Sequence, residues 1–237
     1  MNRRRIEARG LLAVGAVFGG LWAVLKVGSE ANEGETGAFD RAILLAFRHA
    51  GHPEQPLGPR WVQESARDVT ALGGFTVLTL ITLAAIAVLL IYRRKLQALV
   101  FGSVVVIAQV AAEAVKLVVA RPRPDLVAHL DLTYSSSFPS GHSVMAPVVY
   151  FTLAVIVAAG EVRSAARVLL VVGSVLLVIA VGTSRVYLGV HWPSDVLAGW
   201  TLGSAIAFAA WAVLHRLARK PPEGDKLGET PLSSELD

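Results

Sequence analysis

Six apolar runs, each close to the length that a helix needs to cross a bilayer, constrain this chain more than any other feature of its sequence. The runs are Leu11 to Gly28, Leu72 to Tyr92, Leu96 to Val119, Val144 to Ala159, Ala165 to Gly182 and Val196 to Leu214. A helical span needs roughly 20 predominantly apolar residues, and Pro, Gly or clustered charge separates the runs. The pattern predicts an all-α fold, a polytopic membrane bundle of about six transmembrane helices.

Composition agrees with a membrane protein of one domain. Of the 237 residues, 54% are hydrophobic and only 17% are charged, which is too apolar for an ordinary soluble domain. We predict a single integral membrane domain over residues 1–220 and a disordered, polar, cytoplasmic tail over residues 221–237. The chain has no cysteine, so disulfides, thiolate metal sites and cysteine nucleophiles are excluded.

The distribution of Lys and Arg predicts the orientation. Six spans place four basic segments on one side, and these hold more than half of the 22 cations. They contain Arg3, Arg4, Arg5, Arg9, Arg93, Arg94, Lys95, Arg163, Arg167, Arg216, Arg219, Lys220 and Lys226. By the positive-inside rule that side is cytoplasmic, with both termini inside. Segments 29–71, 120–143 and 183–195 are then extracytoplasmic.

Alternatives remain for the first apolar run and for segment 29–71. A cleaved signal peptide is the alternative for the first run, because an arginine-rich start precedes it, but its length and the lack of a clear cleavage site favour a retained helix. Segment 29–71 is predicted to be an outer loop with a short surface helix around Phe39 to Ala50. Within it, Asp68 and Thr70 are interpreted mainly as helix caps, and contact with a substrate head is the second possibility.

Three polar clusters fall on the predicted outer side. They are Lys116 with Arg121, Arg123 and Pro124; Pro139, Ser140, Gly141 and His142; and Ser184, Arg185, His191 and Asp195. This topology follows from apolar runs and loop charges alone, yet it brings all three clusters to one face of the membrane. An active site at the extracytoplasmic end of the bundle is therefore predicted.

The first cluster offers cations to an anion. Arg123 lies between Pro122 and Pro124, which end the helix and hold its guanidinium on a stiff, extended segment suited to phosphate oxygens. Lys116 equally fits a snorkelling cation paired with Glu113 one turn earlier. Arg121 equally fits a solvated flank.

The other two clusters supply backbone donors and histidines. Gly141 permits close backbone approach at a helix start, where free amides attract anions, although Ser140 and Gly141 equally fit a turn with a serine cap. His191 and Asp195 are four residues apart, so the carboxylate can fix the imidazole tautomer and leave the other nitrogen free. The alternative is an Asp that stabilises the helix dipole beside an incidental histidine.

Taken together, these residues match the needs of phosphoryl transfer. They provide fixed cations for the equatorial oxygens, a carboxylate-oriented histidine as nucleophile, and a second histidine as acid. No carboxylate cluster suited to a divalent cation accompanies the motifs.

The three motifs resemble those of the type-2 phosphatidic acid phosphatase family, which shares a superfamily with bacterial acid phosphatases and vanadium haloperoxidases. KLVVARPRP at 116–124, PSGH at 139–142 and SRVYLGVHWPSD at 184–195 fill every signature position over 80 residues. The region before Lys116 matches only in hydropathy.

The resemblance implies a role for each motif residue. His191 would attack phosphorus and form a phosphohistidine, Asp195 would orient it, and His142 would protonate the leaving oxygen and later help to activate water. The phosphate would be held by Lys116, Arg123, Ser140, Gly141 and Arg185. The resemblance also implies a metal-independent enzyme without a cofactor.

The expected partner is a lipid phosphate or diphosphate, such as phosphatidylglycerophosphate, phosphatidate or undecaprenyl diphosphate, and nucleic acid is not expected. A phosphatase of a small soluble ester is one alternative. A non-catalytic transporter or lipid-binding protein is another, since Lys and Glu within a membrane also mark transport pathways.

Overall fold

The computed structural model describes residues 3–133, 135–160 and 163–217, so the predicted tail at 221–237 lies outside the described residues. Within these ranges the backbone forms eight α-helices and one two-stranded hairpin. They are α1 (Arg3–Asn32), α2 (Gly37–Leu45), β1 (Arg48–His49), β2 (His52–Pro56), α3 (Arg60–Ala71), α4 (Phe75–Ile91), α5 (Lys95–Val119), α6 (Gly141–Ala158), α7 (Ser164–Tyr187) and α8 (Pro193–Leu217).

Five helices, α1, α5, α6, α7 and α8, are long and apolar enough to cross a membrane. A sixth candidate is the pair α3 and α4, which meet at a bend of 42°. With this pair counted as one span, six spans agree with the prediction. The all-α, multi-pass architecture is confirmed.

The largest core cluster lies where α1, α5, α6 and α8 meet. Its fully or nearly buried members are Val24, Ala108, Ala112, Val115, Val119, Phe138, Val144, Val148, Ala198, Leu202 and Ile206. Large apolar side chains also remain exposed on the outer helix faces, and Leu117 on α5 is 83% exposed. Such faces fit a lipid environment better than water.

Helix α1 is an integral part of this bundle. Val24 is 1% exposed within the core, and the side-chain amide of Asn32 donates to the carbonyl of Val119 at 2.7 Å. Gly28 faces Val119 and Phe138 so closely that an added Cβ would lie 2.9 Å from a Val119 methyl carbon. Residues of α1 thus form part of the buried core.

Segment 29–71 differs from the predicted outer loop. The expected helix around Phe39 to Ala50 is α2, but it ends at Leu45, and the chain then forms the β1–β2 hairpin, whose turn contains Gly51 at φ +78°. It is a surface helix with one buried face, because Asp40 and Leu44 are completely buried whereas Phe39, Arg41 and Leu45 are exposed. The rest of the segment adds α3, which the sequence analysis did not anticipate.

Two further expectations were wrong at helix boundaries. Asp68 and Thr70 lie inside α3 and do not cap α4, whose N-cap position is Gly74. Arg185, beyond the predicted apolar run that ends at Gly182, lies in the last turn of α7, because the helix continues five residues past that run. Hydropathy marks the part of a helix that contacts lipid, and backbone hydrogen bonding continues into the polar turn beyond it.

Close packing of α6 against α8 brings the second and third motifs together. Gly199 and Gly203, one turn apart on α8, face α6 without a side chain between the two backbones. A Cβ added at Gly199 would lie 2.7 Å from the Cβ of Ser143, and one added at Gly203 would overlap the carbonyl oxygen of Val144. Small residues at this spacing let membrane helices approach closely.

We predict that Gly203→Ala lowers the thermal stability of the purified protein in detergent. The added methyl group must displace the α6 backbone, and overpacking of this kind costs about 1–3 kcal/mol. The matched control is Gly173→Ala on α7, where nothing lies within 4 Å of the added Cβ. Equal unfolding midpoints for the two variants would contradict the packing described here.

Candidate active site

Four helix ends converge on one polar pocket. The last turns of α5 and α7 and the first turns of α6 and α8 meet at the same end of the bundle, and segment 120–140 crosses between them. The pocket has a volume of about 380 Å³. It is lined by Lys116, Arg123, Asp131, Leu132, Thr133, Ser135, Gly141, His142, Arg185 and His191.

Six of the eight residues proposed from the motifs line this pocket, and the other two lie directly behind it. Ser140 and Asp195 are both completely buried, and the backbone amide of Ser140 donates to the carbonyl of Asp195 at 3.1 Å. The Ser140 hydroxyl accepts a hydrogen bond from Ser143 at 3.0 Å and makes no side-chain capping bond. The residues Arg123, His142 and His191, far apart in sequence, thus share one cavity.

His191 lies just before α8 with its two ring nitrogens in different environments. Nε2 is 3.3 Å from the Arg123 guanidinium, whereas Nδ1 is 3.5 Å from a carboxylate oxygen of Asp195 and 3.4 Å from the Ser137 hydroxyl. A guanidinium only donates, so Nε2 must be the unprotonated nitrogen in this contact. The Nδ1 proton then faces Asp195, and the Nε2 lone pair faces Arg123, which lines the pocket.

Burial and neighbouring charges keep this imidazole neutral. His191 is 3% exposed. Burial lowers the pKa of His191 to about 4, the charges of Arg123 and Arg185 act in the same direction, and Asp195 opposes them. A neutral imidazole is the form that can attack phosphorus.

Arg123 is fixed by the backbone on both sides of the pocket. Its Nε donates to the carbonyl of Ser135 at 2.8 Å, and NH1 donates to the carbonyl of Val190 at 2.6 Å. Burial, followed by the charge of Arg185, lowers the pKa of Arg123 to about 10, so the side chain is still protonated at neutral pH.

Arg185 reaches the pocket from the last turn of α7 and is 2% exposed. Its NH1 donates to Asp131 at 2.6 Å and to the Thr70 hydroxyl at 3.1 Å. Burial opposes ionisation of Asp131, but the hydrogen bond and charge of Arg185 outweigh it and hold the pKa of Asp131 below its usual value. Thr70, interpreted from sequence as a cap, is therefore a partner of Arg185.

Lys116 shows both of its predicted features. Its ammonium lies 3.1 Å from Glu113, the intrahelical partner, and 3.4 Å from the Ser135 hydroxyl. The same ammonium also lines the pocket beside Gly141, where an added Cβ would lie 3.6 Å from it. The pairing with Glu113 thus holds Lys116 at the edge of the pocket.

Arg121 is not a solvated flank. It is 5% exposed, and its two terminal nitrogens donate to two different carboxylates, Asp195 at 2.6 Å and Asp40 at 2.7 Å. Sequence analysis also missed Ser137, whose hydroxyl donates to Asp195 in a short hydrogen bond. The position of Ser137 just before the PSGH motif was an available signal for it, whereas Asp40 lies far from every motif.

An apolar groove of about 420 Å³ adjoins the polar pocket and shares Lys116, Gly141 and His142 with it. Its other lining residues are Gly73, Phe75, Leu78, Thr79, Thr82, Leu83, Val105, Val106, Gln109, Val110, Glu113 and Met145. They lie on or next to α4, α5 and α6. The groove therefore connects the lipid-facing side of three helices with the cluster of cations.

Residues 97–219 match the PAP2 superfamily. This chain belongs to the PAP2 superfamily. Phosphatidylglycerophosphatase B from Bacillus subtilis is 35% identical over 153 residues, which cover 62% of this chain and 73% of that protein. An undecaprenyl-diphosphatase from Sulfolobus acidocaldarius is 35% identical over 132 residues, which cover 52% of this chain and 58% of that protein.

A solved PAP2 structure has the same fold. The crystal structure of a transmembrane PAP2-type phosphatidylglycerolphosphate phosphatase from Bacillus subtilis aligns with a TM-score of 0.77 at 26% identity, covering 86% of this chain and 98% of that one. These comparisons confirm the predicted family, the membrane bundle and the assignment of the chain as a phosphatase. The segment that matches the PAP2 superfamily, residues 97–219, includes all three motifs and excludes α1 to α4.

We predict that Arg123→Lys weakens binding of vanadate, a phosphate-shaped anion, by about tenfold, the equivalent of one charge-assisted hydrogen bond. A lysine cannot hold the two carbonyl contacts of Arg123 and still face the pocket. Isothermal titration in detergent measures the affinity. The matched control is Arg167→Lys, which changes an exposed residue near the other end of α7. This variant should bind vanadate as the unsubstituted protein does. Equal loss of affinity in both variants would contradict the assignment of Arg123 to anion binding.

We also predict that His191 remains neutral well below its ordinary titration range. Its ring should take up a proton only as the pH falls through about 4, because burial and two arginines disfavour the cation. Nitrogen-15 NMR of histidine-labelled protein measures this, and the signal missing from His191→Ala identifies the residue. A transition near the ordinary value of about 6.5 would show that the pocket does not desolvate this ring.

Proposed function

We propose that this chain hydrolyses the phosphomonoester or diphosphate head of a membrane lipid through a phosphohistidine intermediate. The observation that carries the proposal is the junction of two cavities: a polar pocket with three cations and two histidines continues into an apolar groove between helices. A small soluble ester would need the first cavity only, whereas a lipid phosphate fits both.

The cations of the pocket are suited to the phosphate. Lys116, Arg123 and Arg185 approach from three different segments, so they can stabilise charge on separate equatorial oxygens. Among the described residues, the Nε of Arg185 is buried and has no hydrogen-bond partner. An anion in the pocket would satisfy this donor, and Gly141 at the start of α6 adds backbone amides. Ser140, at the N-cap, would contribute its hydroxyl by turning from Ser143.

The histidines would divide the reaction into two steps. In the first, Nε2 of His191 attacks phosphorus, a P–N bond forms, the bond to the lipid oxygen breaks, and His142 donates a proton to that leaving oxygen. In the second, His142 accepts a proton from water, which attacks phosphorus and releases inorganic phosphate from His191. Asp195 holds the Nδ1 proton of His191 and stabilises the imidazolium character that develops. No step needs a metal ion.

The groove would hold the hydrocarbon part of the substrate. Its position along α4, α5 and α6 lets an acyl or prenyl tail remain among the lipids while the head enters the pocket. Phosphatidylglycerophosphate and undecaprenyl diphosphate, the substrates named by the relatives, both have this form, as does phosphatidate. The positive-inside distribution of Lys and Arg supports a pocket at the extracytoplasmic face, with both termini cytoplasmic.

We expect purified protein to release phosphate from a panel of lipid phosphates and diphosphates faster than from water-soluble esters, and to do so in excess chelator. His191→Ala should reduce release to background while the protein stays folded, because Nε2 forms the covalent bond. Colorimetric phosphate assays in detergent, with circular dichroism for folding, measure both.

Four results would each contradict part of the proposal. Near-normal turnover by His191→Ala would overturn the nucleophile assignment. Faster release from soluble esters would favour a soluble substrate, and lipid binding without any phosphate release would favour a transporter or binding protein. A strict requirement for an added divalent metal would contradict the proposed phosphate cradle.

A further inference from the structure

A buried chain of charges stands behind His191, on the side away from the pocket. Arg121 bridges two completely buried carboxylates, Asp195 on α8 and Asp40 on α2, at 2.6 and 2.7 Å. The Trp192 ring lies 5.4 Å from the Arg121 guanidinium carbon. Substrate in the pocket touches neither Asp40 nor Arg121, because neither lines the cavity.

We propose that Arg121 and Asp40 are positioning residues for the nucleophile, acting through Asp195 to hold His191 in its attacking orientation. This inference rests on the proposed histidine nucleophile. It assigns a catalytic task to Asp40, which lies on a helix outside the segment that matches the PAP2 superfamily.

The two oxygens of Asp195 have separate partners, and this separation carries the argument. Oδ1 accepts from Arg121, whereas Oδ2 accepts from the Ser137 hydroxyl and from the backbone amide of Trp192 at 2.9 Å and faces Nδ1 of His191. Arg121 thereby fixes the rotation of the carboxylate about its terminal bond. Without that contact, only the Ser137 hydroxyl and the Trp192 amide hold Oδ2 towards His191.

Asp40 fixes Arg121 in turn and also anchors the start of α8. Its Oδ2 accepts from Arg121, from the Ser194 hydroxyl at 2.7 Å and from Thr36 at 2.9 Å, while Oδ1 accepts from the backbone amide of Ser194 at 2.9 Å. The same carboxylate therefore holds the guanidinium and the backbone next to Asp195. A partner on a separate helix makes the orientation of Asp195 depend on the docking of α2.

The net charge of Asp40, Arg121 and Asp195 also acts on His191. One guanidinium between two carboxylates leaves the buried triad with a net negative charge beside His191 and keeps Asp195 ionised. If Arg121 and Asp40 only stabilised the fold, their link to His191 through Asp195 would not matter. A buried ion pair can often be replaced by apolar side chains without loss of stability. Replacing both charges together therefore separates a positioning role from a structural one.

The experiment compares Arg121→Met, Arg121→Lys, Asp40→Asn and the double variant Asp40→Asn/Arg121→Met in detergent, with the lipid that is hydrolysed fastest. We expect kcat of Arg121→Met and of the double variant to fall by about tenfold to a hundredfold, the range that loss of an outer partner costs at other sites. KM should change by less than about twofold, because the bound phosphate is not contacted. Arg121→Lys should recover part of kcat, since an ammonium reaches one carboxylate at a time.

The pH dependence supplies a readout that a structural role does not move. His191 faces Asp195 on α8, Arg123 on segment 120–140, Arg185 on α7 and His142 on α6. Removing the positive charge of Arg121 leaves Asp195 a stronger partner for a protonated ring, so the acid limb of kcat/KM moves to higher pH in Arg121→Met. Loss of the Asp40 charge acts in the opposite direction.

Matched controls are Arg41→Met and Glu35→Gln, exposed residues on and just before α2, which should retain kcat, KM and the pH profile. A folded double variant with normal kcat overturns the positioning role, as does an unmoved acid limb in folded Arg121→Met. If the single variants do not fold, the kcat values of the double variant and of Arg121→Lys decide. His191→Ala is measured in the same series. If it is inactive while the double variant is normal, only this inference fails; if it is active, the proposed function fails.

Discussion

The cost of burying charge is the constraint on which the rest of this structure depends. In a chain this apolar, a cation away from water is tolerated only where carboxylates, carbonyls or a bound anion surround it. Arg121 is surrounded by Asp40 and Asp195, and Arg123 by two backbone carbonyls. Arg185 is only partly surrounded, because its Nε has no hydrogen-bond partner among the described residues. The pocket therefore contains a buried donor without a partner in the described part of the chain, and the phosphate of the proposed substrate would satisfy it.

The helices serve this arrangement by placing polar turns at one end and keeping their middles apolar. Helices α5 and α7 bring cations in their last turns, whereas α6 and α8 begin there and bring backbone amides and a carboxylate. The glycines of α8 let its backbone approach α6, so the segments that carry His142 and His191 reach the same cavity. The hairpin and α2 close the far side, and their contribution is electrostatic as well as steric, because Asp40 is the only carboxylate on α2 and is completely buried.

The junction of the polar pocket with the apolar groove links the chemistry to the membrane. Lys116 lies at this junction, paired with Glu113 on the groove side and facing the polar pocket on the other. A substrate with a hydrocarbon tail can keep that tail among lipids while its head replaces water around the cations. The membrane thus lowers the cost of binding, because the apolar part of the substrate never needs to enter water.

Sequence alone determined the number of spans, the family and the motif residues, because hydropathy and motif spacing are local properties that a helix displays directly. His191 and Asp195 could be paired from sequence because they are only four residues apart. The roles of Arg121, Asp40, Ser137, Asp131 and Thr70 were decided by tertiary structure, since each depends on a partner at least 54 residues away. The helix ends were decided in the same way: α7 continues through Arg185 because burial against Asp131 and Thr70 offsets the polarity of its last turn. A linear sequence shows which charged residues exist, but only the fold shows which of them are paired.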